Sequence, residues 1–162
     1  GAYIPTTTVA VTAAPLNYPL SLLCEFERAV DTGGSECLIQ LEDNPDNTDI
    51  AILFVSASDA LEADMVSNNV LQAAQAMAGS ISVGVTTKGA ARFAQDDVKS
   101  ARGGTLSAGD VSATVAATPV TIRFGARTTG GSPQLPTFGY LRRAALFSRA
   151  LSDSELTTVT SG

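Results

Sequence analysis

Three groups of residues have the types and spacing to do chemistry. Glu25, Glu27 and Asp31 stand at i, i+2 and i+6, so on an extended strand Glu25 and Glu27 project to the same side. A β-sandwich glycosidase uses such a pair as nucleophile and general acid, with carboxyls about 5–5.5 Å apart. The sugar platform that accompanies that chemistry is missing, because the chain has no Trp and only 6% aromatic residues. The same spacing is also that of a solvated strand end. The run Asp43-Asn44-Pro45-Asp46-Asn47-Thr48-Asp49 supplies hard oxygen donors. Carboxylates of Asp43, Asp46 and Asp49 are what Ca²⁺ takes, with the amides of Asn44 and Asn47 beside them. The spacing is not that of an EF-hand, and Asx and Pro residues equally build turns. The expectation is therefore calcium or no cofactor. Arginines crowd the last third, at Arg123, Arg127, Arg142, Arg143 and Arg149. Arg142, with Tyr140 as the nearest aromatic, joins Asn44 and Asn47 as a candidate ligand contact. Alternation on a strand sends Arg142 and Arg143 to opposite faces, so they cannot form one patch alone.

What is missing excludes as much. With no His, every Ser–His and Cys–His nucleophile and every histidine metal ligand is gone. Cys24 and Cys37 alone cannot make a Cys-rich zinc site. The glycine pairs Gly33-Gly34, Gly103-Gly104 and Gly130-Gly131 are isolated turn pairs, not a phosphate loop. A net charge of −6 argues against nucleic acid as a partner. The longest unbroken apolar run, Ile50 to Val55, is far short of the ~20 residues of a membrane span. Gly rather than Met at position 1 reads as a processed or excised piece of something longer.

The elements that must position these residues are mostly strands. Leu20, Leu22, Cys24 and Phe26 alternate with Ser21, Leu23, Glu25 and Glu27. Asp31-Thr32-Gly33-Gly34 is a turn, and Cys37, Ile39 and Leu41 mark a second strand. Joined as a simple hairpin, these strands set Cys24 opposite Leu41 or Glu42, and Cys37 opposite Arg28 or Ala29. The sulfurs then stand roughly 13 Å apart, and two buried free thiols are expected. Ile50–Val55 is a buried strand. Val70 to Ala78 has helix-forming composition but could equally be a strand. Further short strands are expected at Ile81–Val85, Ala90–Ala94, Val111–Val115, Val120–Phe124 and Gly139–Phe147. Ser152-Asp153-Ser154-Glu155 has capping-box spacing and opens a short helical turn. In 162 residues and 16.5 kDa this describes an all-β sandwich or barrel. Residues 1–15 form an extended lead-in, linker or edge strand, and residues 16–162 form one domain.

The C-terminal third carries a family likeness. Val120-Thr-Ile-Arg-Phe-Gly125, then Phe138-Gly139-Tyr140-Leu141-Arg142-Arg143-Ala144-Ala145-Leu146-Phe147, then Ser148-Arg149-Ala150-Leu151-Ser152-Asp153-Ser154-Glu155-Leu156 resembles the end of a concanavalin A-like (laminin G-like) antiparallel two-sheet jelly roll. In that family the last strand returns beside the first, and the capped turn pins the terminus to the sandwich edge. The Arg-Arg strand followed by Leu-Ser-Asp-x-Glu-Leu especially resembles domains of tailed-phage and gene-transfer-agent virion proteins, including fibres and spikes. The Glu-x-Asp-x-x-Glu strand of the glucanase members is not present in Glu25 to Asp31. The resemblance therefore implies a non-catalytic binding domain on a virion surface, recognising host cell-surface polysaccharide. The alternative is a purely structural fibre, spike or decoration domain that contacts other virion subunits or a second copy of itself. A glycosidase built on Glu25 and Glu27 is the third reading. Neither nucleic acid nor membrane insertion belongs to any of them.

Overall fold

The computed structural model describes residues 9–12, 16–43, 48–129 and 132–162. Two antiparallel sheets carry most of them. Six strands form the first sheet, in the order β1 (Val9–Thr12), β10 (Thr121–Phe124), β3 (Glu36–Glu42), β4 (Ile50–Val55), β5 (Leu61–Ser67), β6 (Val70–Ala76). The second has five, in the order β13 (Gly139–Phe147), β2 (Leu20–Arg28), β7 (Thr86–Ala94), β8 (Asp97–Arg102), β9 (Thr105–Leu106). A small ribbon pairs β11 (Arg127–Thr129) with β12 (Ser132–Gln134), and α1 (Asp153–Thr160) closes the chain.

Period-two patterning explains the sandwich. Leu20, Leu22, Cys24 and Phe26 of one sheet share a buried cluster with Leu41, Leu53, Leu61 and Met65 of the other. β5 alternates buried and half-buried along its whole length, as expected of a strand with one face in the core. The outer face of the five-stranded sheet is apolar at one end, where Leu23, Ala90 and Ala101 meet Leu151 and Leu156 of the helical terminus. The Ser152 cap holds that helix start: Glu155 N donates to Ser152 Oγ (3.3 Å) and Ser152 N to Glu155 Oε2 (2.7 Å). β13 runs beside β2, so the last strand returns to the first long one, as the resemblance implies.

Three local expectations are corrected, and one left open between helix and strand is settled. The Leu20–Glu27 and Cys37–Leu41 strands do not form a hairpin. β2 is flanked by β13 and β7 on its two sides, which leaves no free ladder for β3, so the Asp31–Gly34 turn carries the chain into the other sheet. Both thiols are nevertheless free and buried. Ile81–Val85 is a loop: Ile81 is buried, Val83 and Val85 are exposed, and Gly79 and Gly84 take positive φ (84° and 75°) that interrupts any strand. Val111–Val115 contains no strand either, and the only ladder contact there is a bridge from Val98 to Asp110. Val70–Ala76 is an edge strand rather than a helix, because pairing with β5 outweighs propensity.

Several charged side chains lie inside the fold, the largest of them an arginine. Arg28 ends β2, is 1% exposed and is the largest fully buried side chain. All five of its N–H groups have acceptors. Nε and Nη2 donate to Glu36 Oε1 (3.1 and 2.9 Å), and Nη2 also donates to Asp31 Oδ1 (3.1 Å). Nη1 donates to Asp59 Oδ1 (2.6 Å) and to the Ile81 carbonyl (3.2 Å).

Candidate functional site

The other end of the five-stranded sheet's outer face is polar. Ladder partners share a face, so Glu25 and Glu27 of β2 stand beside Lys88 and Thr86 of β7 on one side and Arg143 and Tyr140 of β13 on the other. A β-bulge falls between Leu141 and Arg143. It gives β13 an extra residue, so the expected separation of the two arginines fails. Arg142 forms an ion pair with Glu27, and Arg143 is the ladder partner of Glu25. That ion pair raises the exposed Arg142 guanidinium pKa. Thr86 Oγ1 donates to the same Glu27 carboxylate (3.5 Å). Glu27 is thus engaged from both neighbouring strands.

Thr86 leads into a cleft of about 450 Å³, within the range of small-molecule sites. Four segments meet there. The start of β7 gives Thr86, Thr87 and Lys88, and the loop before it gives Ser80, Ile81, Ser82 and Val85. The β8–β9 turn gives Arg102 and Gly103, and the end of the helix gives Thr160 and Gly162. The two cations are held by carbonyls. Lys88 Nζ donates to Ser161 O (3.0 Å), while Arg102 donates to Gly79 O (2.9 Å) and Ala78 O (2.6 Å). Gly79 is favoured by its positive φ, and a Cβ there would also crowd Arg102 Nη2 at 3.0 Å. No Asp or Glu side chain lines the cleft. Its surface offers hydroxyls, ammonium and guanidinium N–H groups beside the small apolar patch of Ile81 and Val85. That set can hydrogen-bond a polyhydroxylated ligand, and it contains no acid–base pair.

The residues expected to share a site fall at two ends of the sandwich. Tyr140 and Arg142 flank Glu27, at the end of β2. Asp43 and Asp49 lie beside Tyr18, just ahead of β2, and after burial their charges raise the phenol's pKa. Seven residues of strand, roughly 23 Å, separate the two ends. Asp49 is buried, and its Oδ1 accepts from Ser67 Oγ (3.0 Å), Ala117 N (3.0 Å) and Asn68 N (3.3 Å), which ties three loops together. Asn44, Asp46 and Asn47 lie outside the described residues, and among those described no three acidic or thiol side chains form a metal-binding group.

Sequence reasoning missed Lys88 and Arg102. The strand around Lys88 was expected to start only at Ala90, and Arg102 precedes a glycine pair read simply as a turn. A second polar cluster also went unseen, on the outer face of the six-stranded sheet. There Arg123 pairs with the buried Glu42, which accepts from Gln40 Nε2 (2.6 Å). Two strands away on β5, burial and then Glu62 push Asp64 up to about 7, against the pull of Arg127.

No family profile matches the sequence, and no curated protein does. Solved structures do match. A native heptameric SAP-like pentraxin from Limulus polyphemus superposes with a TM-score of 0.74 at 14% identity, covering 95% of this chain and 75% of that one. The CBM40 domain of Ruminococcus gnavus IT-sialidase, bound to α2,3-sialyllactose, gives 0.75 at 13% identity over 91% and 84%. Domains LG4-5 of the mouse laminin α1 chain give 0.70 at 10% identity over 90% and 40%. The fold is a concanavalin A-like jelly roll. Sialidase NanB of Streptococcus pneumoniae also superposes on this jelly roll (TM-score 0.72, 13% identity), which spans only 28% of that chain.

Proposed function

We propose that this jelly roll is a non-catalytic carbohydrate-binding domain carried on the surface of a virion, and that it recognises a host cell-surface polysaccharide. The observation that carries the reading is the cleft beside β7, sized for a sugar and lined by hydroxyls and N–H donors without a carboxylate pair. The likeness to CBM40 bound to sialyllactose supports the sugar. The Arg142-Arg143 strand and the Leu151-Ser152-Asp153-Ser154-Glu155-Leu156 run support the virion, through their resemblance to phage fibre and spike domains. Glu25 and Glu27 do not act as a catalytic dyad in this reading, because Glu27 is spent on Arg142 and Thr86.

The test is a glycan-array and whole-cell binding screen of the purified domain, run with Ca²⁺ and with chelator. Saturable binding to a bacterial capsule or lipopolysaccharide glycan is expected. Loss of binding in chelator assigns a calcium role to Asp43, Asp46 and Asp49. Silence in every arm, with the domain folded, overturns the reading in favour of a structural virion part. One feature favours that second reading. The edge strand β6 exposes Val70 and Leu71, within a stretch from Met65 to Thr87 that contains no charged residue. An uncharged edge lacks the usual protection against pairing with another subunit or a second copy.

A further inference from the structure

We infer that the cleft beside β7 selects an acidic saccharide, drawing a carboxylate or sulfate of the sugar to the Lys88 and Arg102 cations of its lining. The inference rests on the carbohydrate-binding reading and names the ligand class of the same site. Its basis is the distribution of ion pairs. Of ten basic side chains, Arg28, Arg92, Lys99, Arg123, Arg142 and Arg149 each hold a carboxylate. Among the described residues Lys88, Arg102, Arg127 and Arg143 form no ion pair, although the chain has an excess of six acids. Two of those four line one cleft, and no acidic side chain lines it with them. Lys88 has an acidic ladder neighbour in Glu25 but makes its polar contact to the Ser161 carbonyl instead.

Carbonyl acceptors orient a cation without neutralising it. The Ala78 and Gly79 carbonyls fix the Arg102 guanidinium, and the Ser161 carbonyl fixes the Lys88 ammonium. Both cations are half-buried, so neither needs to lose a long, freely moving side chain's entropy when a ligand arrives. A charged ligand group then gains charge-assisted hydrogen bonds, and the hydroxyls of Ser80, Ser82 and Thr87 remain for the rest of the ring. A neutral sugar gains only the second set.

Three oligosaccharide probes test this by calorimetry at low and high salt: a uronate oligomer, a sulfated glycosaminoglycan fragment and a neutral dextran fragment. The acidic probes are expected to bind about tenfold or more tightly than dextran, the low end of what a hydrogen bond to a charged group supplies. Raising the ionic strength should erode that preference. The uronate and sulfate arms separate carboxylate from sulfate as the group recognised. Lys88→Met should abolish the preference of the acidic probes over dextran, and Lys88→Arg should restore it. Arg102→Gln serves as a second variant, its fold checked by far-ultraviolet circular dichroism. Equal binding of all three probes, unchanged by Lys88→Met, overturns the acidic selectivity and leaves the carbohydrate reading standing. Absence of binding by any probe, together with silence on the glycan array, overturns both.

Discussion

Replacing Arg28 by Met removes a fully buried guanidinium that ties the end of β2 to the start of β3, and its cost can be worked from its partners. Three carboxylates face it, with unequal access to water. Asp31 and Asp59 keep 51% and 32% of their side-chain surface exposed, whereas Glu36 keeps none. The first two can turn to solvent when the cation is lost, so the penalty falls on Glu36. Breaking a buried pair by removing one partner costs about 3–5 kcal/mol. At about 2–4 °C per kcal/mol for a chain of this length, the melting temperature should fall by roughly 6–20 °C. Arg28→Lys should fall between, since three ammonium donors cannot serve five acceptor contacts. The double variant Arg28→Met/Glu36→Leu should recover most of the loss. It will not recover all of it, because Glu36 Oε2 also accepts from Phe138 N (3.3 Å), and that orphaned N–H costs about 1–3 kcal/mol. Urea unfolding followed by circular dichroism gives each free energy. A single variant within about 1 kcal/mol of the parent, or a double variant less stable than Arg28→Met, would refute the account of a paired and satisfied buried charge.

Asp64 sets a pH dependence. Burial and Glu62 raise its folded pKa to about 7 from the ordinary 3.8, so the folded state holds a proton that the unfolded state has released. The stability this group gives is present at low pH and declines as pH rises from about 4 through 7. No His titrates in that range, so unfolding midpoints at pH 5 and pH 8 should differ, and Asp64→Asn should remove most of the difference. Gly139→Ala should destabilise strongly, since its Cβ would stand 2.1 Å from the Glu27 carbonyl oxygen. Gly34→Ala, whose Cβ meets nothing closer than 3.7 Å, should leave the thermal midpoint nearly unchanged. Cys24 and Cys37 should both resist a thiol reagent in the native protein and both react in denaturant. They are fully buried, and burial pushes both thiol pKa values up, Cys24 also feeling Cys37.

Strand identity was legible where alternation or an apolar run was strong, although Leu61–Ser67, with one face in the core, was not picked out. Leu20 to Phe26, Ile50 to Val55 and Gly139 to Phe147 all stand where alternation or apolar run length puts them. The capping box at Ser152 was legible because it is satisfied within four residues. Val83 and Val85 show the limit: their alternation is that of a strand, yet no neighbour pairs with them, and alternation alone does not bury a face. The Arg142–Arg143 pair shows another, since a bulge reverses the facing of a residue without leaving a mark in the local pattern.

The candidate site was legible only in part. Tyr140 and Arg142 lie within reach of the polar end of β2, but Asp43 and Asp49 belong to the opposite end. The cleft itself is assembled from segments that begin near residues 80, 86, 102 and 160, and no short-range spacing encodes that meeting.

By itself the sequence determined the all-β fold class, the absence of histidine, and the capped C-terminal helix, because each follows from composition or from contacts within a few residues. Only the tertiary structure decided which strands share a sheet, that Arg28 is buried, and that Lys88 and Arg102 line one cleft with no acidic side chain. Those outcomes depend on which edge of a ladder is already occupied and on which charges far apart in the chain find one another, and both are properties of the packed molecule.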